Sequence, residues 1–117
     1  MIVQCKAAGK QLKVNGNTIT FIYDIRKALV YKNMVVVLLN VPVEDEETID
    51  NLYAVNESGE ILWRVQSLRD YLPNSAYLPY EEFSVEQDQI VVWDLWSRSF
   101  YISPENGKIQ NMRVSGW

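Results

Sequence analysis

The chain has 117 residues, 48% of them hydrophobic, and a net charge of −4 from eleven basic and fifteen acidic side chains. Its length suits one domain with one core, and so apolar a composition excludes a disordered chain. The acidic balance argues against a nucleic-acid partner, since phosphate attraction supplies most non-specific affinity, and no apolar run approaches the roughly 18 residues of a membrane span.

From the N-terminus, Met1-Ile2-Val3-Gln4-Cys5-Lys6 shows no long apolar stretch behind a basic start. No secretory leader is expected there, although a mature chain already freed of one would look similar. Cys5 is the only cysteine. It has no partner for an internal disulfide, so a reducing, cytoplasmic setting is the expectation. Lys10–Val14 and Thr18–Ile25 then flank Asn15-Gly16-Asn17, a strong hairpin signal. In the second arm Ile19, Phe21, Tyr23 and Ile25 alternate with Thr18, Thr20, Ile22 and Asp24, the period of a half-buried strand. This leading hairpin shows no copy later in the chain and is expected to cover a sheet edge.

The next segment does have a copy. Leu52-Tyr53-Ala54-Val55-Asn56-Glu57-Ser58-Gly59-Glu60-Ile61-Leu62-Trp63 and Phe100-Tyr101-Ile102-Ser103-Pro104-Glu105-Asn106-Gly107-Lys108-Ile109-Gln110-Asn111 read as one hairpin written twice, 48 residues apart. In each, a polar connection ends on a glycine, which supplies the positive backbone angle of the turn, and an isoleucine restarts the strand. Upstream, Val30–Leu38 parallels Val85–Trp93 at an offset of 55. The change of offset implies seven extra residues in the first copy, placed most simply in the polar run Val43–Thr48. Two meanders of about four strands follow, spanning roughly residues 28–66 and 82–114.

These segments resemble the blade repeat of pyrroloquinoline-quinone-type β-propellers. Asn51–Val65 (NLYAVNESGEILWRV) matches its tyrosine–alanine, glycine and tryptophan pattern closely, while Ser99–Arg113 (SFYISPENGKIQNMR) carries Asn111 where the tryptophan would stand. The resemblance implies blade-like antiparallel sheets. Enzymes of that family hold quinone and metal in a channel ringed by six to eight blades. Two repeats cannot ring one, so no cofactor, metal or catalytic residue is carried over. Val91-Val92-Trp93-Asp94-Leu95 also reads like the strand end of WD-repeat propellers, without that family's Gly-His pair or spacing.

Between the repeats, Ser67–Tyr80 contains Tyr-Leu-Pro twice. Residues before proline are driven towards extended conformations, so at most one helical turn fits, at Leu68–Leu72. The chain has no histidine, which removes the usual general base, nucleophile activator and zinc ligand. No phosphate-binding glycine loop is present. Carboxylate chemistry would need a facing pair such as Asp94 with Glu86, which nothing in their spacing marks. Asp94, set among Val91, Val92, Trp93, Leu95 and Trp96, reads better as a structural acceptor for backbone or tyrosine hydroxyl groups. Glu44-Asp45-Glu46-Glu47 with Asp50 could offer oxygens to calcium but lacks a ligand-loop spacing, and reads as a solvated connection.

Charge is uneven: residues 1–40 carry +5, residues 41–60 carry −7 and the remainder −2. A basic face and an acidic loop suit partners of opposite sign. Trp63, Trp93 and Trp96 read as strand residues of the core, with Trp93 and Trp96 on opposite faces. Tyr71, Tyr77, Tyr80 and the terminal Trp117 are the candidate binding residues, as amphipathic aromatic anchors.

The sequence therefore predicts a single all-β domain: two blade-like antiparallel meanders plus an N-terminal hairpin, in a sandwich or an incomplete propeller. The function expected is a non-catalytic protein-interaction module without a cofactor. Its partner would be another protein or a second copy of the chain, and neither nucleic acid nor membrane. It would act as a self-associating propeller fragment or a bacterial immunity or inhibitor protein. The alternative is a small-ligand binder or carboxylate-based hydrolase with a pocket between the meanders.

Overall fold

The structure, a computed structural model, describes residues 3–114. They form three antiparallel sheets whose strands follow chain order, each element continuing from the last through a turn or loop. The first sheet holds β1 (Cys5–Ala8), β2 (Gln11–Val14) and β3 (Asn17–Thr20). The second holds β4 (Ile25–Tyr31), β5 (Met34–Leu39), β6 (Leu52–Val55) and β7 (Ile61–Arg64). After one helical turn, α1 (Leu68–Tyr71), come β8 (Glu82–Glu86), β9 (Gln89–Trp93), β10 (Arg98–Ile102) and β11 (Ile109–Val114) in the third. The protein is all-β, and among the described residues no helix is long and apolar enough to cross a membrane.

The second sheet lies between the other two. All six residues of β5 are buried, as its unbroken apolar sequence requires of a strand covered on both faces. Val36, Leu38, Leu52, Ala54 and Trp63 pack against Phe83, Ile90, Val92, Phe100 and Ile102 of the third sheet. On the other face Val35, Val37, Leu39 and Val55 meet Leu12, Val14 and Phe21.

Register shows that the duplication is structural. Turns at 32–33 and 87–88 join the first two strands of each later sheet, with Lys32 and Gln87 both at positive φ. Val55 pairs with Val35 as Ile102 pairs with Ile90. Ala54 pairs with Trp63 as Tyr101 pairs with Asn111. The third strands therefore correspond at an offset of 47, not 48, because the loop before Ile109 is one residue longer than that before Ile61. The extra length of the first copy is accordingly eight residues rather than seven: twelve, 40–51, separate β5 from β6, where four, 94–97, separate β9 from β10.

The N-terminal sheet corrects a second expectation, since it is a shortened third copy. Val14 pairs with Asn17 as Ala54 does with Trp63. Its hairpin glycine, Gly16, has φ +87°, beside +81° at Gly59 and +75° at Gly107. Each later glycine then seats on the last strand of the sheet before it. A Cβ on Gly59 would lie 3.0 Å from Cβ of Asn17, and one on Gly107 would lie 2.6 Å from the Trp63 ring. The three sheets thus share one stacking relation, and the first lacks a counterpart of the edge strands β4 and β8.

Two local readings change as well. Thr18–Ile25 is not one strand: β3 ends at Thr20, and residues 21–24 cross to the second sheet, tied by Phe21 N–H to Lys10 O and Ile25 N–H to Gly9 O. The alternation persists across the crossing because Phe21 and Tyr23 both pack into the core between the sheets. Trp96 lies in the β9–β10 turn, 51% exposed, with the Arg98 guanidinium 5.0 Å from its ring centroid. It is not a strand or core residue.

Candidate functional site

Loops between each sheet's antiparallel strands alternate ends, so the 40–51 loop, the 94–97 turn and the 65–81 connector gather at one end of the stack. Here the copies differ most in length, and here lies a groove of about 480 Å³. Val41, Pro42, Val43 and Ile49 form one wall, Tyr77, Leu78 and Pro79 the other, and Leu95 closes the side. Val43, 90% exposed, and Leu95, 71% exposed, are the two most exposed large hydrophobic side chains among the described residues. Every charged residue of the lining is acidic: Asp45, Glu46 and Glu81.

The acidic loop is shaped rather than merely solvated. The Asp45 carboxylate accepts from Tyr23 Oη, Thr48 Oγ1 (2.7 Å), Thr48 N (2.9 Å) and Glu47 N (3.0 Å). These donors, Tyr23 first, hold its pKa well below the usual carboxylate range, and the same bond raises that of Tyr23. Asp50, at the loop's far end, is buried and accepts from Leu68 N at 2.9 Å, which anchors α1. Ser67 caps that turn by accepting from Arg69 N. Among the described residues no group of three or more His, Cys, Asp or Glu is placed to hold a metal ion.

The opposite wall is fixed by Asn51. Its Nδ2 donates to Leu39 O (2.8 Å) and Tyr80 O (3.0 Å), and its Oδ1 accepts from Tyr80 N (2.9 Å). Glu81 pairs with Arg26 at 3.0 Å and Glu82 with Lys27 at 2.9 Å. Both pairs join equivalent positions of successive sheets. Lys27 and the Phe83 N–H lower the pKa of Glu82.

The four expected binding residues do not form one patch. Tyr77 lines the groove, its hydroxyl donating to Leu72 O at 2.7 Å. Tyr71 is half-buried against the main core. Tyr80 is only 1% exposed, edge-on to Phe100, so it is a core residue and not a surface anchor. Burial pushes its ionisation above the usual tyrosine range, with Asp50 and Asp94 adding to the effect. Trp117 lies outside the described residues.

Asp94 acts within its own turn. Its Oδ1 accepts from Trp96 N and Arg98 N, and its Oδ2 from Arg98 Nε at 2.8 Å. Arg98 goes on to donate to Ala76 O at 3.0 Å, joining the turn to the connector. Sequence reasoning missed the groove because Val43 and Leu95, 52 residues apart, carry no local signal that they meet. An apolar residue between prolines, turns and acids was the one available hint.

No curated protein matches the chain. Among solved structures it resembles the computationally designed Ika8 protein, with 10% identity and a TM-score of 0.61 over 95% of this chain and 32% of that one. It is similar also to the designed Ika4 protein, with 11% identity and a TM-score of 0.60 over 95% of this chain and 64% of the other. The chain thus spans about a third and just under two thirds of these proteins, and the likeness is one of fold. A family model described as "Domain of unknown function (DUF7957)" matches residues 2–114, and the chain belongs to that family.

Proposed function

We propose that the protein is a non-catalytic interaction module, built on units of the quinone-propeller blade type that its sequence resembles, whose groove takes a basic protein segment bearing an apolar side chain. One observation carries this reading: the two most exposed large hydrophobics flank a groove whose only charged lining residues are carboxylates. An apolar anchor seated between Val43 and Leu95 would gain burial. Lysine or arginine beside it would meet Glu46 at the rim, the electrostatics giving selectivity and on-rate more than affinity. In the cell the reading is of a cytoplasmic bacterial protein that neutralises a basic partner, as immunity and inhibitor proteins do. The hydrolase alternative finds no free carboxylate in Asp94, since both its oxygens are engaged by donors of their own turn.

The test is an NMR titration of isotope-labelled protein with a short peptide of alternating arginine and leucine, beside its glutamate–leucine counterpart. The basic peptide is expected to shift Val43, Glu46 and Leu95 and to lose affinity with salt, and Leu95→Lys should abolish the effect. Equal binding of both peptides, or shifts confined to other surfaces, would discard the proposal.

A further inference from the structure

The stacking relation leaves two complementary half-contacts open. Cys5, Leu12 and Val14 on the back of the first sheet are equivalent to Val36, Leu52 and Ala54 on the back of the second. The next sheet covers both sets. In the third sheet those positions are Val91, itself buried, and the half-buried Ser99 and Tyr101, beside the half-buried Trp93, and no sheet covers them among the described residues. The hairpins repeat the pattern. Gly59 seats on Asn17 and Gly107 on Trp63, whereas a Cβ on Gly16 would meet nothing within 4 Å. Asn111, which holds the place of Asn17 and Trp63, carries no hairpin glycine among the described residues.

The geometry points to head-to-tail association of copies, with the front of the first sheet of one chain on the back of the third sheet of the next and the Gly16 turn over Asn111. Charge favours this occupant. The front of the first sheet presents Lys6 and Lys13 without a carboxylate, while the back of the third presents Glu82 and Glu86 against Arg113. Lys6 and Lys13 stand on one exposed face with Thr18, suited to sit over Trp93 and Tyr101. Large aromatics among polar and charged residues (Ser84, Glu86, Gln89, Ser99, Arg113) make a surface of the non-obligate kind, so the contact is reversible. A head-to-tail contact uses a different face on each copy, so it extends until a ring closes.

Sedimentation velocity over a concentration series, at low and high salt, tests this. The mean mass is expected to rise with concentration and fall with salt. Lys13→Glu on the front and Tyr101→Ala on the back should each weaken association about tenfold or more, the effect of losing somewhat over 1 kcal/mol. Mixed together, the two variants retain one sound face each and should give a dimer that grows no further. Should Tyr101→Ala fail to fold, Ser99→Trp, which obstructs the same face, takes its place. A monomer at every concentration overturns the proposal, as does association that Lys13→Glu leaves intact, which would mean that two third sheets pair with each other.

Discussion

Gly107 lies flat against the indole of Trp63, so close that a Cβ at the glycine would sit 2.6 Å from the ring. Two hydrogen bonds lock the contact: Trp63 Nε1 donates to Pro104 O and Gln66 N to Gly107 O, both at 2.9 Å. The tryptophan and glycine of the repeat motif therefore act between copies: each tryptophan position receives the hairpin of the sheet that follows. Asn111, at the corresponding position, receives no hairpin among the described residues.

Replacing Gly107 with alanine is expected to cost about 2–4 kcal/mol, adding strain at φ +75° to a collision with an aromatic ring that cannot move aside. Gly16→Ala carries the backbone penalty alone and should cost about 1 kcal/mol. Urea denaturation of the two variants measures the difference. Equal losses would show that the indole contact contributes nothing.

What the sequence disclosed was local. The hairpins at 52–63 and 100–111 and the single turn of α1 were legible because apolar spacing, a turn glycine and flanking prolines act within a dozen residues. The third copy was hidden, since β1–β3 keep only Gly16 and a brief alternation. Trp96 was misplaced because apolar neighbours mimic a strand where Asp94 in fact closes a turn. Tyr80 was read as surface because its burial depends on Asn51, 29 residues away, pairing with its backbone. Of the groove, the acidic side was visible as charge, while its shape depends on contacts between distant loops.

The Asp94–Arg98 pair should be among the most sensitive in the protein. The carboxylate is fully buried and the guanidinium nearly so. Asp94→Ala is expected to lose about 3–5 kcal/mol, because it strands a buried cation and two turn amides. Arg98→Met added to Asp94→Ala should restore part of that loss by removing the stranded charge. Thermal unfolding of the two single variants and the double variant decides it. Strict additivity would mean that the groups do not act as a pair.

Asp45 predicts a response to acid. In the unfolded chain it titrates near the ordinary value of about 4; in the fold its donors hold it lower. Its contribution is therefore fully present above the unfolded value and is lost as pH falls through the folded one. Below about pH 4, Asp45→Asn should flatten the dependence of stability on pH. Above that window wild type and variant should run parallel, with the variant lower. Denaturation midpoints across the acid range measure this, and unchanged acid sensitivity in the variant would exclude Asp45 as its source.

Asn51 ties the groove to the fold. Asn51→Leu keeps the volume but leaves the Tyr80 N–H and the Leu39 and Tyr80 carbonyls short of buried partners, at a cost of about 3 kcal/mol. Asn51→Asp keeps the acceptor for Tyr80 N and replaces the donating amide. Protonated, it can still donate to one carbonyl; ionised, it faces both with charge. Its folded pKa should therefore be raised, and this variant should lose stability as pH climbs from the acid range towards neutrality. Because Tyr80 holds Leu78, Pro79 and Glu81 against the groove, hydrogen exchange across residues 77–81 should quicken in both variants. In Asn51→Asp it should slow again in acid once the intrinsic pH dependence is removed. Protection of 77–81 unchanged from wild type would show that the connector is held by its apolar contacts alone.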